Sequence, residues 1–242
     1  MKILLIATLL ALSVSCAQAA DSPQSDTRHD FEARIEKLNA ALAAKPDSTQ
    51  LLSVRGDMQL FLGHFPEAVA DYEKMIAIDP SLDAPHWRLG IAYHFNKQWE
   101  KSSQQFAKYH AYDGRDRENG IWKFFADARW HDLATARKEM LNYTEFDREP
   151  FPAIYDLLAG RMTEAQYQAY LDEKKVAENR TAIFFADYYR GLYQEWTNQP
   201  DKARASLKQA VERFTSAEAM AGGPGYMWQC ARLHYELLKK TW

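Results

Sequence analysis

The segment Arg88-Leu89-Gly90-Ile91-Ala92-Tyr93 decides the fold, because it belongs to a unit of 34 residues that occurs twice in succession. Residues 49–82 can be laid over residues 83–116 without a gap, and residues of the same kind then coincide. The coinciding pairs are Gly56 with Gly90, Phe65 with Trp99, and Tyr72 with Phe106. A fixed period of this length indicates a repeat architecture.

The residues at the matched positions have definite roles in such a repeat. Gly56 and Gly90 allow two antiparallel helices to approach each other closely. The ring of Tyr72 or Phe106 fills the gap to the next repeat, and Pro80 stops the second helix. One helix hairpin cannot bury its own apolar face, so neighbouring hairpins must stack. We therefore predict an all-α protein built of stacked antiparallel helix hairpins.

The same frame assigns the rest of the chain. The predicted segments are a signal peptide at 1–19, an N-terminal segment and cap helix at 20–48, repeats at 49–82, 83–116 and, in degenerate form, 117–150, a divergent helical pair at 151–183, a further repeat at 184–217, and a C-terminal cap helix at 218–242. In the degenerate copy, Phe124 stands where the glycine is expected. Thr163 and Gln166 predict a capping box, and Asn198 is expected to cap the helix that begins at Pro200.

The composition excludes two classes of protein. The chain has 242 residues, of which 47% are hydrophobic and 13% aromatic, and this is far more burial than a disordered chain carries. The formal net charge is −3 and there is no basic block, which argues against nucleic acid as a partner.

The N-terminus predicts export. Met1-Lys2 is a short cationic start, residues 3–14 form an apolar run of signal-peptide length, and Ala17-Gln18-Ala19 has the form that a signal peptidase cleaves. Alternatively, Ser13-Val14-Ser15-Cys16 loosely resembles a lipobox, in which Cys16 would carry the lipid. The expected location is the periplasm, or the outer membrane if Cys16 is lipidated. No later segment is apolar for long enough to span a bilayer as a helix.

The sequence contains no recognisable catalytic, metal or cofactor motif. The seven histidines fit no zinc template, there is no glycine-rich phosphate loop, and no cofactor is expected. An enzyme with a helical core is the third hypothesis for the function, with Asp187 and Glu195 as its acid pair. These residues lie eight positions apart on one helix, roughly 12 Å along its axis, which is long for a retaining carboxylate pair.

The helix face that a superhelix of such hairpins turns inward is aromatic. We call its nine residues the aromatic face: Leu60, Phe61, Trp87, Ile91, His94, Phe95, Tyr188, Leu192 and Trp196. Aromatic residues exposed in a concave groove favour a peptide or protein ligand. Alternatively, the stack of hairpins is short and tightly curled. The C-terminal helices then fill the groove, and these nine residues belong to the hydrophobic core.

Two levels of resemblance point to a family. Gly63-His64-Phe65-Pro66-Glu67-Ala68 and Asp79-Pro80 resemble the tetratricopeptide repeat (TPR) signature, and the opening segment at 88–93 matches its L-G-x-x-Y core. The resemblance implies a right-handed TPR superhelix with N- and C-terminal capping helices. Ile121-Trp122-Lys123-Phe124-Phe125-Ala126 and the segment at 185–193 are similar to late helices of the bacterial envelope TPR lipoprotein adaptor family, of the new lipoprotein I type.

That resemblance implies a scaffold or adaptor for proteins in the bacterial cell envelope, with hydrolases or proteases as its partners. The chain could also form a homodimer. Contact with a membrane is expected only if Cys16 carries a lipid. A permanent structural subunit of an outer-membrane or secretion assembly is the second hypothesis. The TPR type that grips a C-terminal carboxylate is disfavoured, because its clamp positions hold Ser53 and Asp57 here.

Overall fold

The computed structural model describes residues 23–241, and the side chains of residues 28–240. The predicted signal peptide and Cys16 lie outside these residues. Between 23 and 241 the chain forms thirteen α-helices, two short 3-10 helices and no strand, so the all-α prediction is confirmed. The helices are α1 (Pro23–Ala44), α2 (Thr49–Leu62), α3 (Phe65–Ile78), α4 (Trp87–Phe95), α5 (Trp99–Tyr112), α6 (Arg117–Trp130), α7 (Leu133–Lys138), α8 (Phe151–Leu158), α9 (Glu164–Glu173), α10 (Arg180–Trp196), α11 (Pro200–Glu212), α12 (Ser216–Met220) and α13 (Gly225–Thr241).

Helices that follow each other in the chain pack as pairs, notably α2 with α3, α4 with α5, and α10 with α11. The short turn within each of these pairs contains a residue with positive φ: Gly63 at 83°, Lys97 at 58° and Asn198 at 59°. A left-handed residue reverses the chain within a few positions, and asparagine tolerates this conformation better than most residues. The prediction that Asn198 caps α11 is therefore wrong. Gln199 takes the cap position, without a side-chain hydrogen bond, while Asn198 makes the turn.

Each of these three pairs contains the same close contact. A Cβ atom placed on Gly56 would lie 2.6 Å from Tyr72, and one on Gly90 would lie 2.7 Å from Phe106. One on Gly191 would lie 2.8 Å from Leu207. In each case the side chain that meets the glycine follows it by 16 positions. The glycines are therefore positions of close approach between the two helices of a pair.

The degenerate copy at 117–150 is helical as predicted, but its two helices pack differently from those of the other pairs. In α6 the expected glycine position holds Phe124, which is buried, and the close contact moves to Gly120, beside the Tyr143 ring. The second helix of this unit, α7, has only six residues. The Thr163 hydroxyl accepts from the Gln166 backbone N–H while the Gln166 side chain accepts from the Thr163 N–H, so the predicted capping box is confirmed.

The two terminal helices differ in what they cover. Helix α1 begins at Pro23, within the predicted N-terminal segment at 20–48, and packs on α2. Helix α13 packs on α11 and α12, and it also returns to α2 near the other end of the chain. This return contact determines the state of the aromatic face.

Candidate functional site

Most of the aromatic face is buried. Six of its nine residues are in the core: Leu60, Phe61, Ile91, Phe95, Tyr188 and Leu192. The other three, Trp87, His94 and Trp196, are partly exposed. Of the two alternatives that the sequence left open, this burial corresponds to the one in which a C-terminal helix fills the groove. The physical reason is that α13 carries aromatic side chains that pack on both ends of this face.

At one end, Tyr226 of α13 packs between the first two helix pairs. Its ring centroid lies 5.1 Å from that of Phe61 and 4.9 Å from that of Trp87, both in edge-to-face geometry. The Tyr226 hydroxyl lies 3.5 Å from the Tyr72 hydroxyl, and the Arg88 guanidinium lies over the Tyr226 ring at 5.4 Å. Edge-to-face pairs of this kind contribute about 0.5–1.5 kcal/mol each beyond their buried area.

Arg232 adds a polar contact at the same end. It lies on α13 and donates a hydrogen bond to the backbone carbonyl of Phe61, the last turn of α2. It also donates to Gln229 and to Glu236, both at 2.8 Å. We call Phe61, Tyr72, Trp87, Tyr226 and Arg232 the clasp, because these residues join α13 to the first two helix pairs.

At the other end, His234 of α13 lies among rings from three helices. Its ring centroid is 4.5 Å from that of Phe95, and its Nδ1 is 2.8 Å from the Tyr188 hydroxyl. The ring also stacks near Trp122 at 6.0 Å, and His94 lies 6.0 Å away in edge-to-face geometry. Tyr226 and His234 are eight residues apart, so they project from nearly the same side of α13, two turns apart.

The histidines at this end are held neutral. Burial lowers the pKa of His94 to about 3, and burial together with the nearby His94 lowers the pKa of His234 well below its usual range. The positive charge of Arg129 adds to both shifts. Three buried polar atoms around α13 find no hydrogen-bond partner among the described residues: His94 Nδ1, Trp122 Nε1 and Gln229 Nε2. A buried atom left in this state costs about 1–3 kcal/mol.

Asp57, one of the two clamp positions, and Trp196 both contact arginine side chains. Asp57 accepts from the Tyr72 hydroxyl at 2.6 Å and from Arg88 at 2.9 Å. Burial raises the pKa of Asp57, an effect that the charge of Arg88 partly offsets. Trp196, the last residue of the aromatic face, lies under the Arg129 guanidinium at 4.5 Å.

The two carboxylates of the enzyme hypothesis each form ion pairs with arginines. Asp187 is fully buried and accepts from Arg190 and Arg213, both at 2.6 Å. Glu195 pairs with Arg129 at 2.7 Å. Asp187 is thus paired with two arginines and Glu195 with one. Over the described part of the chain, no group of three His, Cys, Asp or Glu side chains is placed to hold a metal ion.

Two open clefts on the surface formed by the described residues bear on the site. The first, of about 220 Å³, is lined by Ser53, Leu82, Pro85, His86, Trp87 and Arg88, and so lies beside the clasp. The second, of about 320 Å³, is lined by Lys97, Gln98, Trp99, Glu100, Lys101 and Trp130. Sequence reasoning assigned Trp87 to the aromatic face and Ser53 to a clamp position. It did not foresee Arg88 at the site, or the second cleft.

Sequence reasoning also missed the residues of α13 that occupy the aromatic face. The available signal was the spacing of Tyr226, Cys230 and His234, which recur every four residues on one side of a helix. Cys230, between the two aromatic residues, is fully buried. Compared with protein-family models, the chain matches none. Among the helices between 23 and 241, none is long and apolar enough to cross a membrane.

Proposed function

We propose that this chain is a TPR scaffold, exported to the bacterial cell envelope, that binds other proteins. The observation that carries the proposal is the contact repeated in three helix pairs, in which a glycine meets a large side chain 16 positions later. Such a contact brings two helices together in the same way each time, and serial stacking of equal units is what builds a solenoid. Solenoids of this kind present extended surfaces to protein partners.

The binding surface that we propose is centred on Trp87. This residue is partly exposed, lines the cleft beside the clasp, and has the Arg88 guanidinium over its own ring at 5.2 Å. Tryptophan and arginine are the residues that most often carry binding energy at protein interfaces. A cleft that contains both is consequently the best-supported contact point on this molecule.

Export and an adaptor role rest on the N-terminal sequence and on the family resemblance. The partners implied are envelope enzymes, such as cell-wall hydrolases or proteases. Intact-mass analysis of the native protein tests the export step. A start at Ala20 or Asp21 supports cleavage by signal peptidase, a diacylglyceryl Cys16 supports a lipid anchor, and a retained Met1 refutes both.

The binding proposal is tested with a pair of tryptophan variants. Trp87→Ala removes the residue from the clasp-side cleft, and Trp130→Ala removes a 40% exposed tryptophan from the other cleft. Each variant is measured by thermal unfolding and by quantitative pull-down from envelope extract after chemical cross-linking. We expect Trp87→Ala to lose partners that the Trp130→Ala protein retains, while it stays folded at the assay temperature. Identical partner sets for both folded variants and the parent protein would refute the proposed surface.

A further inference from the structure

We infer that the clasp is a reversible closure, and that an amphipathic helix of a partner protein with aromatic side chains two turns apart takes the place of α13 on the aromatic face. The inference rests on the proposed scaffold function and extends it, since it names the site and the chemistry of the ligand. Four features of the structure lead to it.

The first feature is that the clasp joins parts of the chain that a serial array keeps apart. In stacked repeats each unit contacts its neighbours. Here the contact between Tyr72 and Tyr226 spans 154 positions, and that between Phe61 and Arg232 spans 171. Helix α13 packs mainly on α11, its neighbour in the stack, and touches α2 much less. Opening therefore breaks the clasp and the contacts of His234 with Phe95 and Tyr188, while α13 keeps its contacts with α11.

The second feature is the incomplete polar packing of the occupied face. Gln229 on α13 and Trp122 on α6, which stacks near His234, each bury a side-chain nitrogen without a hydrogen-bond partner in the described residues. The Tyr72 and Tyr226 hydroxyls meet at 3.5 Å, the outer limit for a hydrogen bond. A partly satisfied polar network stabilises its interface less than a complete one or an apolar one. α13 is thus a suboptimal occupant of this face.

The third feature is the surface cleft of about 220 Å³ that reaches the clasp from outside. Trp87 lines this cleft and also contacts Tyr226, so a partner side chain that enters the cleft lies next to the residue it would displace.

The fourth feature is the helix that already occupies the face. Tyr226 and His234 of α13 show what fits: two flat side chains, two turns apart, on one side of a helix.

Cys230 provides a probe of opening. It lies on α13 midway between Tyr226 and His234, and it is fully buried. In a Cys16→Ser chain it is the only thiol, so its reaction with a thiol reagent at constant pH reports how often this side of α13 becomes accessible. We expect Cys230 to react in native buffer through an opening that depends less on urea than global unfolding does. Labelling that follows global unfolding at every urea concentration would overturn the inference.

Two variants separate the clasp from general stability. Tyr226→Ala removes the ring that contacts Phe61 and Trp87. Tyr170→Ala removes another partly buried tyrosine, in α9, which packs on α8. We expect Tyr226→Ala to speed Cys230 labelling at least tenfold in native buffer, and Tyr170→Ala to leave that rate within threefold of the parent. Equal acceleration by both variants would mean that Cys230 reports only global stability, and would overturn the inference.

The ligand chemistry is tested with a synthetic peptide of residues 225–241 in which Cys230→Ser is made. We expect the labelled peptide to bind the chain, to bind at least tenfold more tightly when the chain carries Tyr226→Ala, and to lose binding when the peptide itself carries Tyr226→Ala and His234→Ala. Failure of the peptide to bind the Tyr226→Ala chain would overturn the inference about the ligand. These results can be told apart from those of the tryptophan pull-downs. The peptide reports whether the aromatic face accepts such a helix, and the pull-downs report whether envelope proteins bind at the Trp87 cleft, so either test can fail while the other succeeds.

Discussion

Replacing Gly90 by alanine tests whether the helices of a pair approach as closely as the repeat frame requires. A Cβ atom on Gly90 would lie 2.7, 2.9 and 3.1 Å from three atoms of the Phe106 ring. That ring is fully buried and stacks on Trp122 at 6.2 Å, so it has little room to move. In addition, the Gly90 carbonyl accepts a hydrogen bond from the Ser102 hydroxyl at 2.8 Å, which links α5 to the backbone of α4.

Two effects of opposite sign determine the magnitude. Overpacking of a well-packed core costs about 1–3 kcal/mol, and the close approach of three ring atoms places Gly90→Ala in the upper half of this range. Alanine is favoured over glycine within a helix by about 1 kcal/mol. The net loss in the free energy of unfolding is therefore about 1–2 kcal/mol. For a protein of this size, about 2–4 °C per kcal/mol gives a fall in melting temperature of roughly 2–8 °C.

The assay is thermal and urea unfolding of Gly90→Ala beside a matched control. Gly114→Ala is the control, because the nearest atom to a Cβ there is the His110 carbonyl oxygen at 3.6 Å, an ordinary contact. We expect its stability to stay within about 0.5 kcal/mol of the parent. A second arm combines Gly90→Ala with Phe106→Leu, in which the smaller side chain should remove part of the coupling between the two positions. If Gly90→Ala raised the melting temperature, as helix propensity alone predicts, the close approach would be refuted.

Three further predictions concern other parts of the fold. Asp187→Asn leaves Arg190 and Arg213 without their buried carboxylate, and should cost about 3–5 kcal/mol in urea unfolding; a loss below about 1 kcal/mol would contradict the assigned ion pairs. The pKa values of His94 and His234 are lowered in the folded state. Below about pH 6.5, the usual pKa of a histidine side chain, the unfolded chain therefore binds more protons than the folded one. The folded state is therefore fully stable above pH 6.5 and loses stability as the pH falls below that value. His94→Phe should reduce the loss between pH 6.5 and 5 by about 1 kcal/mol, and an unchanged pH profile would argue against a neutral His94 in the folded state. Thr163→Ala removes the capping box of α9 and should cost about 1 kcal/mol, whereas Thr163→Ser should retain most of the stability; equal unfolding curves for both variants would show that the box is not stabilising.

The repeat and its close contacts were predictable from the sequence because they depend on residues near each other in the chain. Gly90 and Phe106 are 16 positions apart, and a helix hairpin of this length brings them together whatever the rest of the protein does. The capping box at Thr163 spans three residues and was likewise predictable. Asn198 shows the limit of this reasoning: the same residue favours a helix cap and a left-handed turn, and the path of α10 into α11 selects the turn.

The state of the aromatic face was decided by the tertiary structure alone. The sequence indicates which side of each helix is aromatic, but both an open groove and a filled one satisfy that pattern. The outcome depends on whether α13 reaches α2. That packing brings Tyr226 onto Phe61 and Trp87, a contact across more than half of the chain that no local rule of propensity or spacing contains.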